Sequence, residues 1–187
     1  MPNKISVGPQ VALFPAPVVM LSCGRMEGPR TIATVAWTGT VCSEPPTVAV
    51  ALRPSRYSFE LVKKYGEFVV NLPKRDNLFA LDYCGVVSGR TVDKFEKLNL
   101  TPVASKTVSA PRIAECPVSL ECRLMQEVPL GSHHLFIAEV MDVWVDDKVL
   151  GPDGKIDVVK ASPLCYYRNG YWGLGDSLGR HGFSVKE

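Results

Sequence analysis

At 187 residues, 46% apolar and 21% charged, the chain has enough hydrophobic side chains to bury one full core, so a single domain over residues 1–187 is expected and disorder is excluded. The formal net charge of +2, with Lys and Arg mixed among Asp and Glu, offers no basic face for nucleic acid or for an anionic membrane surface. The first apolar run, Val11 to Leu21, is too short and too interrupted by Pro15 and Pro17 to span a bilayer, and it lacks the layout of a secretory signal, so a cytoplasmic location is expected.

Val18 to Cys23 reads as a strand closed by Gly24. A second strand, Thr31 to Trp37, breaks at Thr38-Gly39-Thr40 and passes Ser43-Glu44-Pro45-Pro46. A third, Thr47 to Leu52, runs into Arg53-Pro54-Ser55-Arg56-Tyr57-Ser58. From Ser58 the period changes: Phe59, Leu61, Val62 and Tyr65 cover one face of a short helix that Gly66 stops. Glu67 to Leu72 is again a strand, halted by Pro73, and Asn77 to Gly85 is a second short helix with an Asn start and a Gly stop. Ser88 to Leu98 is a loop leading into a third helix, and Asn99 to Pro117 is mainly a connection. Two long strands, Val118 to Met125 and Leu135 to Val145, flank a turn at Pro129 to His134. Near the C-terminus Asn169-Gly170, between Tyr166-Tyr167-Arg168 and Tyr171-Trp172, marks a hairpin. Strands outnumber helices, and the helices arrive singly, which argues against a doubly wound parallel sheet and for an antiparallel barrel with helical excursions.

The second and third strands each end in a turn crowded with hydroxyls, free backbone donors and arginines. Such turns suit a phosphate attached to a flat, apolar ring system, and so predict a cofactor site. The six cysteines form no Cys-x-x-Cys pair and no zinc spacing, which reads as reduced thiols rather than a metal or redox motif. No Gly-x-Ser-x-Gly elbow, Gly-x-Gly-x-x-Gly turn or P-loop is present, so a serine hydrolase, a Rossmann site and a nucleoside-triphosphate cradle are not indicated. Taken singly, Ser55 and Ser58 read as caps, Arg53, Arg56, Arg90 and Lys94 as solvated charges, Trp37 as core and His133-His134 as a polar turn. Their joint occurrence carries the cofactor reading.

Thr34-Val35-Ala36-Trp37-Thr38-Gly39, Ser43-Glu44-Pro45-Pro46, the strand into Arg53-Pro54-Ser55-Arg56-Tyr57-Ser58, Gly66 to Leu72, Cys84-Gly85, Ser88 to Phe95, Leu120-Glu121-Cys122 and Gly131-Ser132-His133 follow one another in an order that resembles the flavin reductase-like family, and within it the flavoredoxin group. The resemblance implies a mainly β fold with short helices, an antiparallel FMN-binding split β-barrel of Greek-key type, working as a homodimer with the flavin near the interface. It would set Thr34, Val35, Ala36, Trp37 and Thr38 along the isoalloxazine edge. Ser43, Arg53, Ser55 and Ser58 would surround the ribityl phosphate, with Ser88, Gly89, Arg90 and Lys94 closing over it. His133 would lie beside the reactive face as the catalytic residue. Ser132 stands where the family's turn carries an acidic residue, and Ala138 stands where glycine is common, a change expected to narrow the site. A single phosphate cradle favours FMN over FAD. The implied activity is that of an oxidoreductase that passes electrons from NADH, NADPH or a protein donor through FMN. The alternative is an electron carrier that exchanges electrons only with a redox protein partner. The apolar segment Val11 to Leu21 and the hairpin Tyr166 to Trp172 are the expected dimer surface.

Overall fold

A computed structural model describes residues 3–185 of the chain. β1 (Ala16–Pro17) and β2 (Val19–Gly24) lead into β3 (Arg30–Val35), β4 (Thr38–Cys42) and β5 (Thr47–Leu52), then α1 (Tyr57–Tyr65) and β6 (Glu67–Leu72). A 3-10 turn at Arg75–Asn77 continues into α2 (Leu78–Val86), followed by α3 (Lys94–Lys97), β7 (Pro102–Val103) and β8 (Arg112–Ile113). The long strands β9 (Val118–Pro129) and β10 (His134–Val145) come next, and then α4 (Val158–Ala161), β11 (Leu164–Tyr167) and β12 (Gly170–Gly173).

Seven strands form one antiparallel sheet in the order β3-β2-β6-β9-β10-β5-β4. β3 and β4 are its two edges, yet only Ala36 and Trp37 separate them in the chain, so the sheet must curl until its edges approach. The Trp37 carbonyl accepts the Ala51 N–H at 2.8 Å and extends the β4–β5 pairing into this short connection. Register shifts between Ile137 and Ala138 and between Val140 and Asp142 mark bulges in the β9–β10 hairpin, the local feature that bends long strands. The result is the mainly antiparallel split barrel with short helices that the sequence implies.

Strand alternation sends Val19, Leu21 and Cys23 of β2 inside the barrel with Val50 and Leu52 of β5 and Phe68 and Val70 of β6. There Phe59 meets Phe136 edge-on, with ring centroids 5.4 Å apart. Met20 belongs to a second core, with Ile32 from β3 and Leu81 and Phe95 from α2 and α3. β2 is therefore buried on both faces, and this is why it reads as an apolar run interrupted only by Ser22. It also corrects the expected dimer surface: Val18 to Leu21 is core, and of that segment Val11 to Pro15 and Pro17 are exposed.

α1 ends as expected, with Gly66 left-handed at φ 66° and its N–H on the Val62 carbonyl at 2.8 Å. α2 differs. Gly85 lies inside the helix, where a Cβ would stand 3.2 Å from the Thr34 side chain; glycine lets the helix lie close on β3. Asn77 does not cap α2 but accepts the Lys74 N–H at 3.0 Å. The C-terminal turn is one residue earlier than the Asn-Gly signal suggests. Arg168 and Asn169 take positive φ (46° and 61°), and Gly170 pairs with Tyr167. The connection after α3 includes the short β7–β8 pair and is pinned by the enclosed Glu121 carboxylate, which accepts the Lys106 and Thr107 N–H groups (2.9 and 2.7 Å) and the Thr107 hydroxyl (2.6 Å). Ala138 points into the barrel core, so its methyl does not narrow a surface site. All six cysteines are free thiols, and five of them are buried. Among the described residues no helix is long and apolar enough to cross a membrane.

Candidate cofactor site

Where the curled sheet fails to close, a cleft of about 840 Å³ opens between β3, the β5–α1 turn, the end of α2 and the C-terminal hairpin. Its size suits a cofactor-sized ligand. Thr34, Val35, Ala36 and Trp37 line one wall; Arg53, Ser55 and Ser58 come from the β5–α1 turn; Ser88, Gly89 and Lys94 come from the loop after α2; and His133 reaches in from the β9–β10 turn. The fold thus gathers eleven of the fourteen residues singled out in the sequence.

Thr38, Ser43 and Arg90 are not among the residues that line it. Thr38 opens β4 and pairs with Val50. Ser43 is exposed on the β4–β5 turn. Arg90 is drawn to Glu60 of α1 by two hydrogen bonds of 2.5 and 2.6 Å, so its guanidinium is held at the rim, over the Tyr57 ring.

Lys94 is 3% exposed, and its ammonium donates to the Ile32 and Cys84 carbonyls at 2.6 and 2.8 Å. An ammonium has three donors, and no carboxylate among the described residues pairs with this one. Burial, with the charge of Arg56 adding to it, holds Lys94 below the ordinary lysine value. The Ser58 hydroxyl, in the first turn of α1, is buried with no hydrogen-bond partner among the described residues. Such a group carries a desolvation cost until something bonds to it. Gly89 completes the cradle: a Cβ there would fall 1.9 Å from the Thr31 hydroxyl oxygen, so only glycine brings this loop down onto β3. Cations and an unpartnered hydroxyl at the opening turn of α1 therefore line one cleft, and this donor set fits a phosphate.

His133 is half-buried, with its Nδ1 2.9 Å from the Ser132 hydroxyl oxygen. Burial first, and then the charge of Arg53, lowers its pKa, so the imidazole is neutral at pH near 7. Ser132 thus holds the ring through a hydroxyl instead of a carboxylate.

Several lining residues were not assigned to the cofactor by the sequence: Arg56, Tyr57, Asp82, Tyr166, Asn169 and Tyr171. Arg56 stands in the very turn that drew attention, and its neighbours were the available signal. The hairpin residues had none beyond an aromatic-rich composition. Tyr171 donates its hydroxyl to Asp82 Oδ1 at 2.9 Å across 89 residues of chain. Burial and that carboxylate push its phenol up to about 12, so it stays protonated. Cys84, also in the cleft wall, is pushed up to about 11 by burial and remains a thiol.

A curled antiparallel sheet with a donor-rich cleft at its open seam defines a split-barrel protein. The chain belongs to the flavin reductase-like domain family, whose sequence profile matches residues 11–175. The flavoredoxin of Desulfovibrio vulgaris (Miyazaki F) is 32% identical and superposes with a TM-score of 0.91 over 98% of this chain and all of that one. The flavoredoxin of Methanosarcina acetivorans is 29% identical, with a TM-score of 0.91 over 99% of this chain and 98% of its own. An uncharacterised protein of Archaeoglobus fulgidus is 38% identical over 146 residues, 78% of this chain and 80% of the relative.

Proposed function

We propose that the protein is an FMN-binding oxidoreductase. The observation that carries this reading is that a buried Ser58 hydroxyl and a buried Lys94, the first with no hydrogen-bond partner and the second with no carboxylate partner among the described residues, line one cleft with Arg53 and Arg56. In this reading Arg53, Ser55, Arg56, Ser58, Ser88 and Lys94 would hold the phosphate, and Thr34 to Trp37 would border the isoalloxazine. Bound FMN would supply the redox chemistry, accepting a hydride or single electrons and passing them on. The chain's own residues bind the cofactor, limit water access and hold the donor. His133, neutral and oriented by Ser132, would position the ring of NADH or NADPH. One cationic cradle suits one phosphate, so FMN should bind more tightly than FAD.

Absorption spectra of the purified protein, with extraction of any yellow chromophore and titrations with FMN, FAD and riboflavin, test the reading. A colourless protein that leaves flavin fluorescence unchanged would overturn it. A second reading, the carrier, draws on α2: Phe79 (76% exposed) and Val86 (72%) give it an apolar surface next to the cleft where a redox protein would dock. Stopped-flow mixing separates the two, because a carrier is reduced by a low-potential protein donor and by neither reduced nicotinamide. We also infer a homodimer, supported by the exposed apolar side chains of Val11, Leu13, Phe14 and Trp172. Light scattering that reports the mass of one chain at assay concentration contradicts it.

A further inference from the structure

The residues that line the cleft fall into two groups of opposite character. Arg53, Arg56 and Lys94 supply its positive charge, and Asp82 is the one carboxylate among the lining residues. A carboxylate turned toward a phosphate dianion is repulsive, so Asp82 has no part in holding one. It belongs instead to an aromatic wall. Tyr171 donates to its Oδ1 at 2.9 Å; the Tyr166 ring lies 5.7 Å from that of Tyr171; and Trp37 meets Tyr166 edge-on at 6.4 Å. The other oxygen of Asp82 accepts from no described residue.

Tyr166 and Tyr171 pack on the second core without being enclosed by it. Trp37 is 39% exposed, both tyrosines are half-buried, and all three line the cleft. A partly open wall of three rings gains most when a flat ring covers it, because stacking and dispersion then replace contact with water. At the same wall a free carboxylate oxygen rewards an N–H donor or a positive charge and disfavours a negative one.

We propose that Trp37, Tyr166 and Tyr171 form a subsite for a planar aromatic ring. Asp82, held by Tyr171, is its specificity-determining residue: it admits rings that are neutral or cationic, above all those with an N–H donor, and excludes aromatic carboxylates. This deepens the oxidoreductase reading, on which it rests, by naming the class of ring that the second partner in electron exchange presents.

The test is calorimetric titration of the FMN-loaded protein with 4-nitrobenzamide and 4-nitrobenzoate, flat rings of nearly equal size that differ by one charge. The wild type is expected to bind the amide about tenfold more tightly, the size of effect that a like charge at close range gives in a half-solvated cleft. Asp82→Asn keeps an oxygen to accept from Tyr171 but removes the charge, and should bring the two affinities to within about twofold by strengthening the carboxylate. FMN affinity should stay as it was. Equal binding of both rings by the wild type, binding of neither, or a preference that survives Asp82→Asn overturns the proposal. So does a loss of FMN affinity in Asp82→Asn, which would give the wall to the flavin itself. A protein that takes up no FMN refutes the oxidoreductase reading alone. The same titrations on flavin-free protein, with inorganic phosphate saturating the cationic residues, then still decide whether Asp82 filters charge.

Discussion

Replacing Ser58 with alanine removes a hydroxyl that is 2% exposed in the first turn of α1 and has no hydrogen-bond partner among the described residues. An unsatisfied buried hydroxyl costs about 1–3 kcal/mol, and alanine removes it at the expense of one atom's volume while being the best helix former. The flavin-free variant should therefore be more stable than the wild type. For a chain of this length each kcal/mol raises the melting temperature by about 2–4 °C. In the FMN-loaded protein the sign reverses, because the hydroxyl would donate to a phosphate oxygen. A charge-assisted bond of that kind contributes about 1.5–3 kcal/mol, so FMN affinity should fall roughly tenfold to a hundredfold. Riboflavin, which has no phosphate, should bind as before. Thermal melts of flavin-free protein and parallel fluorescence titrations with FMN and riboflavin read both effects. A flavin-free variant less stable than the wild type would show that the hydroxyl is already bonded; equal losses for the two flavins would remove Ser58 from the phosphate site.

Arg90 and Lys94, equivalent in the sequence reading, should separate. Lys94→Met should weaken FMN binding far more than riboflavin binding, whereas Arg90→Ala, whose guanidinium is engaged by Glu60 at the rim, should change FMN affinity by less than about threefold. A large FMN-specific loss in Arg90→Ala would mean that the arginine leaves Glu60 when the cofactor binds. His133→Ala should slow anaerobic flavin reduction by NADH or NADPH in stopped flow without releasing FMN, since a positioning group acts on the rate. Loss of the cofactor instead would make His133 part of the flavin cradle. Glu121 gives a pH signature. Burial acts to raise its carboxyl, but the Thr107 hydroxyl and the Lys106 and Thr107 amides outweigh that and hold it below the ordinary value. The stabilisation is therefore full above the unfolded pKa and is lost as pH falls through the folded one. Glu121→Gln should lower the melting temperature near neutrality and have little effect in strong acid; an equal drop at both would refute a charge-based role.

Much of this architecture was legible locally. Alternation placed β3, β5, β6 and the two long strands, and Gly66 ended α1, because these features depend on residues a few positions apart. For the same reason Arg53, Ser55 and Ser58 could be read as one group: a strand, a turn and the first turn of a helix keep them together whatever the rest of the chain does. The order of motifs likewise carried the resemblance to the flavin reductase-like family. Other features required distant parts of the chain to meet. Arg90 turns outward because Glu60 waits 30 residues earlier, and Lys94 is buried because the carbonyls of Ile32 and Cys84 converge on it. Gly85 continues a helix it was expected to stop because Thr34 lies against it, and Ala138 faces the barrel interior rather than the cleft. Tyr171 reaches Asp82 only once the C-terminal hairpin has folded back over the seam. Periodicity tells which side of a strand or helix is apolar; it does not say which other element will cover that side, and that choice, made by the closing of the barrel, decided which charges and rings share the cleft.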